Sequence, residues 1–416
     1  MTPIKARSYG SSPQVRQCAR RGTLLGIVQL LYLLYFLLAI PSAQAQTYTV
    51  LYQFKGKANA SFPYANLMRD DKGRLYGTTM YGGVFDDGTV FEVDAGGKET
   101  PLHSFWGGDG VFPDSLIRDK VGNLYGTTGG GGTLEGGGCL HGCGTVFKLN
   151  PEWRHTVLYA FSGGADGGAP SGSLIRDRRG DLYGTAGIGG VGSGVVFKLD
   201  SNGKETVLYA FKGTPDGEGP VGGLIRDKMG NFYGATEGGG ASGQGAVFTL
   251  DPAGKETVLY SFTGAADGAQ PAGPLAQDET GNLYGTTWEG GDPHCWCGVV
   301  FKVDKTGKEV VLHTFTGSPD GSLPVGGIVR DKVGNLYGAT KEGGAECSPF
   351  GCGAVFEVDH NGNETVLYSF TGGSDGLYPE AGLTIDDSGN LYGTTVEGGD
   401  TECSYWGCGV VFKLTP

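Results

Sequence analysis

Gly389-Asn390-Leu391-Tyr392-Gly393-Thr394-Thr395 decides how this chain is read, because close copies of it recur along almost the whole sequence. The tyrosines of the copies are Tyr76, Tyr125, Tyr183, Tyr233, Tyr284, Tyr337 and Tyr392, at steps of 49 to 58 residues. Self-similarity at such a period marks stacked supersecondary units. Each copy has the same neighbours. An alternating run, strand d, such as Thr206–Phe211 (TVLYAF) or Thr365–Phe370 (TVLYSF), precedes a Gly-rich loop. That loop usually ends in Asp-Gly with a Pro four residues after the Asp, as in Asp216, Gly217 and Pro220. A short strand a follows (Leu224 to Asp227), and an Asp-x-x-Gly turn leads into strand b, the tyrosine motif itself. A loop of varying length reaches strand c, as in Val195–Asp200 (VVFKLD), and a second Asp-x-x-Gly turn returns to strand d.

Two tight hairpins in series, seven times over, predict an all-β chain: a seven-bladed β-propeller of four-stranded antiparallel blades, one domain over 46–416. The chain opens on a strand d, Thr47–Phe54, and stops on a strand c, Val410–Leu414. With blades phased a, b, c, d from the axis outward, the N-terminal strand completes the last blade and closes the ring. Phasing from d is the alternative and gives no such closure. The glycine inside strand b (Gly184, Gly234, Gly285) reads as room for an adjacent blade, and the repeated tyrosine as packing. The short a–b and c–d turns fall on one face, and the variable d-to-a and b-to-c loops on the other, where a rigid scaffold presents binding residues.

Residues 1–45 carry Lys5, Arg7, Arg16, Arg20 and Arg21 and no acidic side chain, then an apolar run from Leu24 to Ile40 and the small residues Ala43 and Ala45. This is the pattern of a signal peptide cleaved after Ala45; an uncleaved membrane anchor is the alternative. Cleavage moves the formal net charge from −13 to −18, because five positive charges leave and no negative ones. So acidic a chain repels phosphate backbones, and no nucleic-acid partner is expected. The mature protein is expected to be an exported monomer, periplasmic or extracellular, with no membrane contact after cleavage.

The succession Gly-Asn-Leu-Tyr-Gly-Thr-Thr, Gly-Gly loop, Val-Phe-Lys-Leu-Asp, Gly-Lys-Glu-Thr-Val-Leu-Tyr-Ser-Phe and Asp-Gly resembles the GloVer tandem repeat of bacterial exported proteins. The resemblance spans residues 47–416 and implies a secreted, β-propeller-like protein without an assigned activity. More distantly, the strand order looks like that of NHL and gluconolactonase-type propellers.

Apart from Cys18, the cysteines form four local pairs, all in b-to-c loops: Cys139 with Cys143, Cys295 with Cys297, Cys347 with Cys352, and Cys403 with Cys408. An even count in an exported chain points to disulfides. A metal site would need four converging ligands, and His141 and His294 beside these cysteines keep that alternative open. The repeated Asp109, Asp166, Asp216, Asp267, Asp320 and Asp375, with Asn59 in the first slot, read as loop-bracing residues, Ca²⁺ sites being the alternative. No catalytic histidine constellation, serine elbow or phosphate loop is present.

A functional site should break the repeat, and two breaks stand out. The b-to-c loops of repeats 5 to 7 carry Trp288, Trp296, Phe350, Tyr405 and Trp406 with Glu289, Glu342 and Glu397. Aromatic planes beside carboxylates suit sugar rings and hydroxyls, or a surface protein; loop residues packing on their own disulfides are the bland alternative. At the entrance to strand a, Glu380, Asn66 and Asp114 replace small residues in three consecutive repeats. They suggest, as the rival reading, a Ca²⁺-dependent gluconolactonase-like or lyase-like enzyme. The favoured expectation is a non-catalytic binding module for carbohydrate or a cell-surface polymer, without a cofactor.

Overall fold

A computed structural model describes residues 46–56, 60–132, 139, 141–344, 347, 350–400 and 407–416. The expected signal peptide, Asn59, Cys403, Tyr405 and Trp406 lie outside the described residues. The described residues are all strand, turn and loop, with no helix among them. Strand b is the buried spine of each repeat. It runs over Leu75–Thr79, Leu124–Gly130, Leu182–Ile188, Phe232–Gly239, Leu283–Glu289, Leu336–Glu342 and Leu391–Thr395. It is flanked by a strand a on one side and a strand c on the other, all antiparallel, as where Ile175 faces Tyr183 and Gly184 faces Phe197. Strand d is the outer edge.

Among the described residues the strands assemble into five separate four-stranded antiparallel sheets, one eight-stranded sheet and a two-stranded ribbon of Ala60–Ser61 with Tyr81–Gly82. The count of discrete four-stranded sheets is therefore five, where the sequence predicts seven. The eight-stranded sheet consists of the strands of repeats 3 and 4, each antiparallel within itself, joined at one parallel bridge, Ser173 to Gly223. Glycines at 172, 222 and 223, all with positive φ, let the two innermost strands approach that closely. In one of the five four-stranded sheets the N-terminal strand Thr47–Gln53 pairs antiparallel with Val410–Thr415, from Thr47 opposite Thr415 to Gln53 opposite Val410.

Strand d is less regular than its alternating sequence suggests. In every repeat its register against strand c slips by one residue, as between Val196 and Phe197, where Leu208 is left unpaired. The slip is a β-bulge on the exposed edge strand, which twists that edge away from edge-to-edge association.

The strand-b glycine has a different reason from the one its sequence suggests. A Cβ on Gly285 would sit 2.6 Å from Phe301 Cζ and 2.7 Å from Leu275 Cδ2, both in the same sheet. The other six repeats show the same clash, from Gly77 against Phe91 to Gly393 against Phe412. The glycine makes a socket for the phenylalanine directly across from it in the same sheet.

That phenylalanine is in turn the contact between sheets. Phe105 after one strand d packs edge-on against Phe147 of the next strand c, with centroids 5.1 Å apart. The contact repeats as Phe161–Phe197, Phe211–Phe248, Phe262–Phe301, Phe315–Phe356, Phe370–Phe412 and Phe54–Phe91. All these rings are buried, and edge-to-face pairs add about 0.5–1.5 kcal/mol each beyond the area they remove from water. Strand-b tyrosines serve the same packing: Arg226 lies over the Tyr183 ring at 5.1 Å and Arg176 over Tyr125 at 5.4 Å.

Candidate functional site

The loop face is built on one backbone device. The residue before the conserved-position proline of each repeat has positive φ: Phe62, Phe112, Ala169, Gly219, Gln270, Leu323 and Tyr378, all between 49° and 62°. Its N–H donates to the carbonyl just ahead of strand c in the preceding repeat, as from Leu323 to Cys297 (3.0 Å) and Phe62 to Cys408 (3.1 Å). The proline then packs on the glycine that follows that carbonyl, as Pro324 on Gly298. Left-handed backbone is costly for residues with a side chain and persists where surroundings over-determine it. Six of the seven side chains are therefore held rigidly on the loop face.

Disulfides brace the same point. Cys139–Cys143, Cys295–Cys297 and Cys347–Cys352 are bonded, with Cα separations of 5.3, 5.2 and 5.8 Å. Cys408 is also disulfide-bonded; its expected partner, Cys403, lies outside the described residues. Cys143, Cys297, Cys352 and Cys408 each supply the carbonyl that receives the next repeat's N–H. Sulfurs bonded in this way are not thiolates, the form in which cysteine ligates a metal. The repeated d-to-a aspartates are braces: Asp267 accepts from Tyr260 Oη (2.9 Å) and the Thr263 amide (2.8 Å), and Asp375 does the same with Tyr368 and Thr371.

Within the face lies a cavity of about 220 Å³ lined by Tyr64, Asn66, Asp114, Glu237, Gln270, Trp288 and Glu380, among others. The trio Glu380, Asn66 and Asp114 is thus brought to one cavity. Their oxygens, however, are engaged. Asp114 accepts from the Ser115 and Gly172 amides (2.6 and 2.8 Å), Asn66 from the Gly382 amide (2.6 Å), and Glu380 is 2.7 Å from Lys341 Nζ. A hard cation needs six or more oxygen ligands, so the trio as it stands fits bracing of neighbouring strands and does not fit a preformed Ca²⁺ shell.

Of the aromatic-loop candidates, Trp288 enters the cavity. Lys341 Nζ lies 5.8 Å from its ring centroid and 5.9 Å from that of Tyr378, so one ammonium is framed by two rings and Glu380. Glu289 accepts from Gln270 at the cavity wall (3.4 Å). Glu397 is held above the usual carboxylate range by burial and then by Glu380. Trp296 and Phe350 are exposed and do not line the cavity, with half and two-thirds of their surface open to solvent. Tyr405 and Trp406 cannot be placed, being outside the described residues.

Sequence reading misses Tyr64, Glu237, Lys341 and Tyr378. Burial raises the Tyr64 phenol, followed by the charges of Glu380, Asp114 and Glu237, which places all three carboxylates around it. It also misses a row of rings on the face: Phe62, Tyr81, Phe112 and His141, each meeting the next edge-on at 5.7 to 6.2 Å. The available signal is the residue before each proline, aromatic in three repeats and different in the others.

Models of the Gloeobacter/Verrucomicrobia repeat match three overlapping stretches, residues 39–227, 132–295 and 189–412. The chain belongs to the Gloeobacter/Verrucomicrobia repeat family. No curated protein matches it. Among solved structures, a Bacteroides thetaiotaomicron protein of unknown function is 16% identical over 89% of this chain and 76% of its own, with a TM-score of 0.49. The extracellular domain of a candidate one-component system from the same organism is 11% identical over 86% of this chain and 39% of that one, with a TM-score of 0.53. A protein described as a candidate gluconolactonase gives 12% identity over 65% of this chain and 80% of its own, with a TM-score of 0.39. The likeness with a TM-score above 0.5 bears on the fold of this repeat protein and not on its activity.

The family's repeat also sets a pH response. Glu205, Glu256, Glu309 and Glu364 each open a strand d and feel the charge of the preceding repeat's aspartate. Burial, then Asp166, Asp216 and Asp267, raise Glu205, Glu256 and Glu309 to about 7, and one oxygen of each has no hydrogen-bond partner. A folded-state pKa above the unfolded value of 4.5 gives stability that is complete below pH 4.5 and lost as pH rises through 7. The melting temperature is expected to fall between pH 5 and 8, and Glu→Gln at all three positions to flatten that fall, as differential scanning fluorimetry would read. An unchanged slope in the triple variant would contradict the assignment.

Proposed function

We propose that this protein is an exported, non-catalytic binding module. Its repeats form a seven-bladed propeller closed by the N-terminal strand, and its ligand site is the loop-face cavity around Trp288. The ring reading is supported by the unbroken succession of Phe–Phe and proline–glycine contacts, in which Phe54 meets Phe91 and Pro63 meets Gly409. Export is supported by the disulfides and the composition of residues 1–45.

The observation that carries the ligand site is the sharing of one open cavity by the Trp288 ring and the carboxylates of Asp114, Glu237 and Glu380. An indole plane takes the C–H face of a sugar ring, and carboxylates accept from its hydroxyls. Acidic lining disfavours anionic ligands, which leaves neutral or amine-bearing saccharides of a cell-surface polymer as the favoured class. Trp288→Ala is expected to weaken saccharide binding at least tenfold in isothermal titration with an unchanged melting temperature; equal affinity would sink the proposal.

The rival, a Ca²⁺-dependent lactonase-like or lyase-like enzyme at Glu380, Asn66 and Asp114, would require Lys341 and three amide donors to give up their oxygens. It makes its own forecast: Ca²⁺ raises the melting temperature of the wild type and not of Glu380→Gln.

A further inference from the structure

At two of the sheet junctions the strand-d tyrosine is replaced by histidine, His103 and His313. At the first, the facing glutamate of the next repeat is replaced as well, by His155. In the neighbouring junctions Tyr159, Tyr209 and Tyr260 hydrogen-bond Asp166, Asp216 and Asp267. Here the retained Asp109 meets two imidazoles instead. His103 Nε2 is 3.0 Å and His155 Nδ1 is 3.7 Å from Asp109 Oδ2. One nitrogen of each ring and one carboxylate oxygen lie within 4.8 Å of one another.

We propose that His103, Asp109 and His155 form a binding site for a late first-row divalent cation, Zn²⁺ being the favoured occupant. Two imidazoles and one carboxylate are the ligand types that such ions take, in preference to Ca²⁺ or Mg²⁺, and water completes a tetrahedral shell. The three side chains are 11 to 17% exposed, sheltered but within reach of solvent. The other nitrogen of His155, Nε2, is buried without a hydrogen-bond partner, so this imidazole is not fully used by the protein around it. The two rings are stacked, centroids 4.3 Å apart and 5° from parallel. Ligation therefore turns one ring about its terminal torsion, which is soft. His103 belongs to repeat 1 and His155 to repeat 2, so the ion ties two sheets together. His313, Asp320 and Glu364 occupy the same slot further round, with one imidazole fewer, and form the weaker site.

Co²⁺, whose visible d–d bands report nitrogen and oxygen ligands, is the spectroscopic probe, and Zn²⁺ competes for its site. The purified wild-type protein is expected to bind Co²⁺ with about one strong equivalent per chain, to release it to Zn²⁺, and to melt several degrees higher with Zn²⁺. The double variant His103→Tyr, His155→Glu restores the residues of the other repeats, so it folds, and it is expected to lose the strong equivalent and the Zn²⁺ shift together. His313→Tyr keeps both. Strong Co²⁺ binding by the double variant equal to wild type, or no strong binding by the wild type, would overturn the site.

Discussion

A protein lacking residues 46–54 is expected not to fold as a monomer. Those residues complete the sheet of Leu391–Thr395 and Val410–Thr415, and without them the Val410–Thr415 edge is left unpaired. Phe54, fully buried against Phe91, and Tyr48, stacked on Tyr368 at 3.9 Å with its hydroxyl on the Asp375 carbonyl, leave with the strand. Loss of one buried aromatic costs about 3–5 kcal/mol, and a whole domain is worth only about 5–15. Circular dichroism and gel filtration are expected to report an aggregating, non-cooperative chain. A circular permutant carrying residues 46–54 after Pro416 should recover the wild-type melt. Wild-type stability in the truncated chain would show that the strand is an ornament and would remove the closure argument.

The second large effect is expected at glycine. Gly285→Ala places a methyl 2.6 Å from Phe301 Cζ, and its backbone is not left-handed, so the cost is steric and not conformational. Overpacking of this kind costs about 1–3 kcal/mol, read as a lower urea midpoint with an unchanged slope. Phe301→Leu empties the socket, so the double variant should be more stable than the sum of the single losses implies. Strict additivity would mean that the ring and the glycine do not share the space.

Much of this architecture is legible in the sequence because its determinants are local. The Asp-x-x-Gly turns, the period of the tyrosines and the phase offset between Thr47–Phe54 and Val410–Leu414 each depend on neighbouring residues or on counting. Contacts between distant residues are not legible in that way. The socket of Gly285 is filled by a ring sixteen positions away on another strand, and the strand-d bulge at Leu208 leaves no mark in TVLYAF. The bridge between repeats 3 and 4 depends on glycines whose φ values no composition reveals.

The cavity was half legible for the same reason. Glu380, Asn66, Asp114 and Trp288 break the repeat and are found by aligning it with itself. Lys341 shares the variable slot of Trp288 and Tyr378 precedes the repeat's proline, but only the fold brings Lys341 against Glu380, Trp288 and Tyr378 at once. Lys341 engages Glu380, while the Ser115, Gly172 and Gly382 amides brace Asp114 and Asn66.

The central claim is that the Trp288 cavity binds a saccharide, and a glycan array probed with wild-type protein and with a Trp288→Ala, Tyr378→Ala variant of equal stability tests it most directly. Retention of neutral or amine-bearing glycans by the wild type alone is the predicted result. Retention of the same glycans by both proteins, or of none by either, would contradict it.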